Sequence, residues 1–373
     1  LEALRGVAAL VVVAWHLMIG LAPASSGLFG MPSDMQLHGH WWFFLLNGSA
    51  AVSVFFVLSG YVIAQGIFAR PGFAAIARAM IKRWPRLALV CTIATTVSWV
   101  LFHFQLYHFR DVAAITGSPW LADFAYAGLP AKFEPSLGWS MLVGGVLTFF
   151  DGTSTMDSSL WTMRAELIGS LMVLGVSPAL VPLRRWWMSF LVAAMLSLAM
   201  VLAEQTVPQF LLGAWIARWL HEGRPKLLVW QSVVIMVGAS FLLGFRGPVG
   251  VYDWLGILPL NKSIWYPLLW APAACALILV VECNPAIGRA LSGRWARELG
   301  RLSFSIYVIH VPVLCSAGAW AFLAARAADG WVSASLAAVV TTIGVTLLFA
   351  WPLSRIDLIW VRFLNDRLRA AIP

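Results

Sequence analysis

The sequence predicts an all-α fold: a polytopic transmembrane bundle of about ten spanning helices, with both chain ends on the cytoplasmic side. Three observations carry this. Of 373 residues, 61% are apolar and only 11% charged, too little polar surface to cover a soluble globule of this size. Apolar stretches recur along the whole length, and about 20 such residues cross a hydrocarbon core of about 30 Å. The basic residues fall in short segments between those stretches, on alternate sides of the predicted membrane.

Taken in order, residues 5–22 form one apolar run after Arg5, and 41–66 is apolar with small residues that favour close helix packing. Residues 86–104 follow Arg83-Trp84-Pro85-Arg86, where a proline signals a first helical turn. Next come 160–182, 186–203 after Arg184 and Arg185, 206–220, 227–245 between Lys226 and Arg246, and 264–282 between Lys262 and Glu282. The last two spans are 302–324, after Arg301, and 331–353, before Arg355. Trp139 to Phe150 is apolar but too short to span, and reads as re-entrant or interfacial within a long outer loop. With ten spans, the cytoplasmic segments hold 19 of the 25 Lys and Arg residues, against five outside, with Arg164 near a helix start. No repeat or appended soluble domain is visible, so residues 1–373 read as a single integral-membrane domain. The chain opens at Leu1 within an apolar pattern, which points to a start further upstream.

The net charge of +9 follows this topological distribution rather than one basic face, which argues against nucleic-acid binding. The four cysteines show no metal-ligand spacing, so neither a metal nor a disulfide framework is expected.

Polar residues inside the spans are the functional candidates. Arg5 and His16 lie about three turns apart on one face of the first helix, which puts His16 about 16 Å deeper, near mid-membrane. His310, about 13 Å in from the inner end of its helix, lies at a matching depth, with Ser303, Ser305 and Tyr307 close in sequence; the group suggests a polar chamber. Interhelical hydrogen bonding is the structural alternative for both histidines. Arg83 and Arg86 share a helix face and, beside a helix N-terminus, would clamp phosphate; membrane-surface arginines serving topology are the competing explanation. Glu166 enters the outer end of the fourth span about 9 Å below the surface. It is not placed to pair with Arg164, so a partner from another helix is expected. Ser59-Gly60 in the second span reads chiefly as a packing element. Glu204 and Glu282 read as interfacial, and His38, His40, His103 and His108 as outer-loop residues without an assigned task.

These motifs together resemble membrane acyltransferase family 3. Leu4-Arg5-Gly6-Val7-Ala8-Ala9 with His16 matches its opening and its Arg-x10-His motif. Phe55-Phe56-Val57-Leu58-Ser59-Gly60-Tyr61, Arg83-Trp84-Pro85-Arg86 and Leu299-Gly300-Arg301-Leu302-Ser303 through His310 resemble three further family elements. Trp161-Thr162-Met163-Arg164-Ala165-Glu166 keeps the family's tryptophan–glutamate separation with different residues between. The resemblance implies a bacterial inner-membrane O-acyltransferase of envelope glycans or related hydroxyl acceptors. It implies acyl-CoA, acetyl-CoA in the first instance, as the cytoplasmic donor. Arg83 and Arg86 would hold the donor phosphates, and His16 would act as general base or as an acyl-accepting nucleophile. Arg5, Glu166 and His310 would orient the base or stabilise the oxyanion. A proton-coupled transporter or flippase is the alternative, since buried His and Glu also build proton relays. The oligomeric state is left open.

Overall fold

The computed structural model describes residues 1–130, 132–183, 185–202, 207–257 and 262–372, and every regular element among them is helical. Ten principal helices follow in chain order: α1 (Glu2–Leu21), α2 (Gly48–Ala69), α3 (Phe73–His103), α4 (Thr162–Leu180), α5 (Trp186–Leu202), α6 (Pro208–Glu222), α7 (Val229–Gly244), α8 (Lys262–Cys283), α9 and α10 (Trp331–Ala371). Helix α9 runs from Arg294 to Val313 and continues through a π-helical turn, Leu314–Gly318, into Ala319–Asp329. By length and composition α1, α2, α3, α4, α9 and α10 can cross a membrane, while α5, α7 and α8 hold shorter apolar stretches. Arg184, Glu204 and the predicted boundaries at 203 and 206 lie outside the described residues.

Helix α2 packs against α1, α4, α6 and α8, while α9 lies between α1 and α10 and α3 contacts α4, α9 and α10. Helices α1, α2, α4, α3 and α9 therefore form a ring around an interior space, with the inner half of α10 closing one side. The end of the bundle that carries Arg5, Arg83 and Arg301 is called the inner end, after its excess of basic residues.

Three predicted boundaries shift, each for a local reason. Trp41–Leu45 forms a 3-10 turn, and α2 begins only at Gly48 because Asn47 caps it: its Oδ1 accepts the Ala50 N–H at 3.3 Å. The Asn47 amide also donates to the Leu243 and Phe245 carbonyls, tying this start to the end of α7. Helix α3 begins twelve residues before Pro85, so that proline is interior and does not mark a first turn. The inner part of α3 is held by α10: Trp360 donates to the Pro85 carbonyl at 2.8 Å, Asn365 accepts from Lys82, and the Ile372 carbonyl accepts from Arg78. Helix α10 correspondingly extends to Ala371, beyond the span read from hydropathy alone.

The short apolar run is helical from Leu137 to Phe150 and interrupted by a π turn at Val143–Leu147. It descends beside α3, with Trp99 donating to the Pro135 carbonyl, Ser140 to Thr95 and Trp84 to Gly145. Gly144 permits this approach, since a Cβ there would sit 2.7 Å from the Cys91 carbonyl oxygen.

Candidate active site

Helices α1 and α9 run side by side in the same direction. They touch near the inner end, where Gly6 lies against Leu299 and Gly300 against Glu2; a Cβ at either glycine would fall 2.5 Å from the neighbouring helix. Ten residues further along each helix stand His16 and His310. Similar offsets from this contact region on parallel helices bring the two imidazoles together, and His310 Nε2 lies 2.9 Å from His16 Nδ1.

The protons of this pair follow from their neighbours. His310 Nδ1 lies 2.7 Å from the Tyr307 carbonyl and 3.2 Å from that of Ile306. A carbonyl oxygen only accepts, so in a neutral ring Nδ1 carries the hydrogen and Nε2 is left as an acceptor. His16 Nδ1 faces that acceptor and, at 2.9 Å, the Val12 carbonyl, so it too carries the hydrogen. The remaining nitrogen, His16 Nε2, keeps its lone pair. His310 is wholly buried, whereas His16 is partly exposed, with the Trp120 ring 4.9 Å away. Trp120 belongs to the short helix Pro119–Ala122 of the outer loop, anchored to α1 where Ser118 donates to the Ile19 carbonyl at 2.7 Å.

On the inner side of this pair lies a cavity of about 490 Å³, within the usual size range of small-molecule sites. Arg5, Ser59, Arg83, Arg86 and Glu166 line it, together with Ser303 and Tyr307. The partner of Glu166 does come from elsewhere: Ser59 of α2 donates to Oε1 at 2.8 Å, and Arg83 of α3 approaches the same oxygen at 3.8 Å. Glu166 is thus deeper than its position near a helix start suggested. Arg83 is 20 residues, about 30 Å of helix, from the outer end of α3. The reason is that the turn before α4 is folded into the bundle, where Thr162 and the Tyr307 hydroxyl share a hydrogen bond of 3.0 Å.

The arginine pair departs from expectation in one respect. Because Pro85 lies inside α3, the N-terminus of α3 is not beside Arg83 and Arg86, and what these two residues offer an anion is their guanidinium groups. They are joined by Arg5, Arg297 and Arg301, giving five guanidiniums against the carboxylates of Glu2, Glu166 and Asp357. The buried Nε atoms of Arg83, Arg86 and Arg301 and Oδ1 of Asp357 find no hydrogen-bond partner in the protein. A second cavity of about 280 Å³ shares Val62, Ile63, Arg83 and Arg86 with the first and reaches Arg70 and Lys82. A cationic path therefore leads to the chamber from the inner end.

His16 and His310 do not line the large cavity. Phe55 and Tyr307 do, in edge contact with ring centroids 5.9 Å apart, and the Tyr307 ring is 6.0 Å from His310. The structure thus gathers Arg5, Arg83, Arg86 and Glu166 in one chamber and sets the histidine pair one turn beyond Tyr307. Asp357 and Trp120 were not singled out from the sequence, Arg297 counted there only as a cytoplasmic charge, and Phe55 stood only within a family element. Arg301 was visible in the sequence as a cytoplasmic charge and as a member of the family element that ends at His310, without an assigned role. Of the other polar candidates, His38 is buried against the Ser26 carbonyl, and His103 is exposed and stacked on Trp99.

Membrane-length helices closed around a buried polar chamber define a polytopic integral membrane protein with an internal site. A family model described as an acyltransferase domain, acyltransferase 3, matches residues 1–355, and the chain belongs to that family: it is a membrane acyltransferase. No curated protein and no solved structure matches it.

Proposed function

We propose that this enzyme moves an acyl group, acetyl in the first instance, from acyl-CoA entering at the inner end to a hydroxyl of a glycan or related acceptor arriving from the outer side. The observation that carries this reading is the orientation of the histidine pair, which leaves His16 Nε2 unprotonated and free of the partners that occupy the other three ring nitrogens.

In this mechanism Arg83 and Arg86, aided by Arg5 and Arg301, bind the donor phosphates; guanidinium forks suit phosphate oxygens, and their unpartnered Nε atoms fit such a ligand. The thioester arm passes Phe55 and Tyr307 to reach His16. As the acceptor hydroxyl attacks the thioester carbonyl, His16 Nε2 takes its proton. The tetrahedral intermediate collapses, the C–S bond breaks, and the CoA thiolate leaves and recovers the proton from His16. His310 accepts the Nδ1 hydrogen of His16 and supports the imidazolium that forms, in the way a third group orients the base of a catalytic triad. Glu166, fixed by Ser59, holds Arg83 in place.

The same nitrogen would serve if His16 first took the acyl group as an acyl-imidazole. A burst of CoA release without acceptor distinguishes that route from direct transfer. The reading as a whole is tested with purified protein in liposomes supplied with acetyl-CoA and envelope glycan. Acceptor-dependent CoA release that is lost in His16→Ala supports it. Movement of glycan across the bilayer with no new ester would replace it with transport.

A further inference from the structure

Outside the chamber, one charged group is built into the opposite end of the bundle with no role in the chemistry above. Arg246 follows α7 into the outer loop, and its guanidinium lies over three aromatic rings: Tyr266 at 4.8 Å, Trp15 at 5.3 Å and Trp270 at 5.9 Å. The cage is rigid. Tyr266 and Trp270 stack with centroids 4.4 Å apart and planes 6° from parallel. Trp270 donates to the Phe245 carbonyl at 3.0 Å, Tyr266 to the Arg246 carbonyl at 3.3 Å, and Asn47 to the Leu243 and Phe245 carbonyls. Three rings from α1 and α8 therefore hold the side chain, and hydrogen bonds from Asn47, Tyr266 and Trp270 fix the backbone that carries it.

What is missing is an anion. Among the described residues no carboxylate lies within ion-pair distance of Arg246, whereas Arg5, Arg83, Arg218, Arg224 and Arg301 each have one. The group is partly exposed, so it is reachable. Its position matters: Trp15 belongs to the same turn of α1 as His16, so one wall of the cage is on the helix that carries the residue assigned above to the acceptor hydroxyl. Across from it the outer loop presents Tyr126, exposed and close enough to interact electrostatically with Arg246. Phe124, Ala125 and Tyr126 all have positive φ, of 43°, 59° and 68°. Three consecutive non-glycine residues in that region cost energy, and such runs persist where the surroundings enforce them.

We propose that Arg246, held by its aromatic cage, recognises a carboxylate-bearing sugar unit of the acceptor, the guanidinium pairing with the carboxylate and the exposed Tyr126 ring packing on the sugar. This rests on the reading of the protein as an acyltransferase with an outer acceptor. The site makes the preferred acceptor an acidic sugar rather than a neutral one. A cation–π tie serving stability alone would bind neither.

The experiment measures binding and transfer separately, in lipid nanodiscs, with methyl β-glucuronoside and methyl β-glucoside as probes. By isothermal titration, wild type and His16→Ala are expected to bind the glucuronoside at least tenfold more tightly than the glucoside, with the difference shrinking as salt rises. Arg246→Met should abolish that difference, and Arg246→Lys should keep part of it. Equal affinity for the two probes, or a preference untouched by Arg246→Met, overturns the site. If wild type releases CoA from acetyl-CoA equally well with both sugars, transfer stands and this proposal falls. If the glucuronoside binds as expected and no CoA is released with any acceptor, the carboxylate site stands and the transfer reading falls.

Discussion

His310 Nε2 accepts the hydrogen on His16 Nδ1 across 2.9 Å, and because both Nδ1 atoms are committed to carbonyls of their own helices, the pair has one low-energy arrangement in the neutral state. Removal of His16 deletes the base, and general-base catalysis is typically worth 10²–10⁴-fold. His16→Ala should lower acceptor-dependent CoA release by at least about 10²-fold. His310→Ala should cost less, on the order of tenfold in kcat with little change in KM, because it loosens the ring without deleting it. Equal, near-normal rates for both variants would rule out the relay.

The contacts that set this geometry lie near the inner end, where Gly6 meets Leu299 and Gly300 meets Glu2. Gly6→Val or Gly300→Val would force α1 and α9 apart, and overpacking of this kind costs about 1–3 kcal/mol. Both variants should show a lower thermal midpoint in nanodiscs and a loss of transfer larger than the loss of folded protein. Gly66→Ala on α2 is the control, since a Cβ there meets nothing within 4 Å. It should be neutral or stabilising, by roughly 0.5–1 kcal/mol.

Arg83 and Glu166 are mostly buried, and their ion pair is spread over 3.8 Å with Ser59 as the shorter partner. Loss of one member of a buried pair leaves an uncompensated charge, a cost of about 3–5 kcal/mol in well-buried cases. Arg83→Ala should therefore both weaken acyl-CoA binding and lower stability. Arg83→Met/Glu166→Gln should recover the stability and not the donor affinity. A double-mutant cycle read by thermal unfolding and by KM for acetyl-CoA separates the two effects.

The outer loop carries a pH signature. Burial keeps His38 below the usual histidine pKa of 6.5, with the nearby Arg246 cation acting in the same direction and the hydrogen bond to the Ser26 carbonyl opposing them. Between its depressed native value and 6.5, the unfolded chain binds a proton that the native loop does not. The stability His38 contributes is thus present above about 6.5 and declines as pH falls below it. Thermal midpoints measured from pH 5 to 8 should show that decline, and His38→Gln should flatten it.

Much of this architecture was legible in the sequence because lipid imposes long apolar runs and the charge bias of the loops fixes their order. The depth match of His16 and His310 was also legible, since both positions can be counted from arginines at the inner end. The misplaced elements are those where a local signal competes with tertiary packing. Pro85 resembles a helix start, yet α3 continues inward because Trp360, Asn365 and Ile372 of the chain's last segment hold its inner part. Glu166 was read as shallow because the apolar run Trp139 to Phe150 was visible in hydropathy, whereas the return of the polar segment after it, up to Trp161, into the bundle was not. Arg297 and Asp357 escaped notice because charges at a membrane surface look alike until the helices that carry them are packed.

Phe55→Ala should widen the passage between the inner cavity and the histidines. The expected result is faster acceptor-independent hydrolysis of acetyl-CoA, with the ester yield per CoA released falling below that of wild type. Unchanged coupling between CoA release and ester formation would show that the thioester takes another route.

The edge contact between Phe55 and Tyr307 carries an obligation beyond substrate passage. The cavity holds the arginines on one side of this contact and the histidine pair stands beyond it, and a living membrane sustains a voltage from one end of the bundle to the other. Two aromatic rings are then the insulation at this point. Their apolar faces deny a continuous thread of water to protons, so the energy stored across the bilayer is not drained each time the enzyme works.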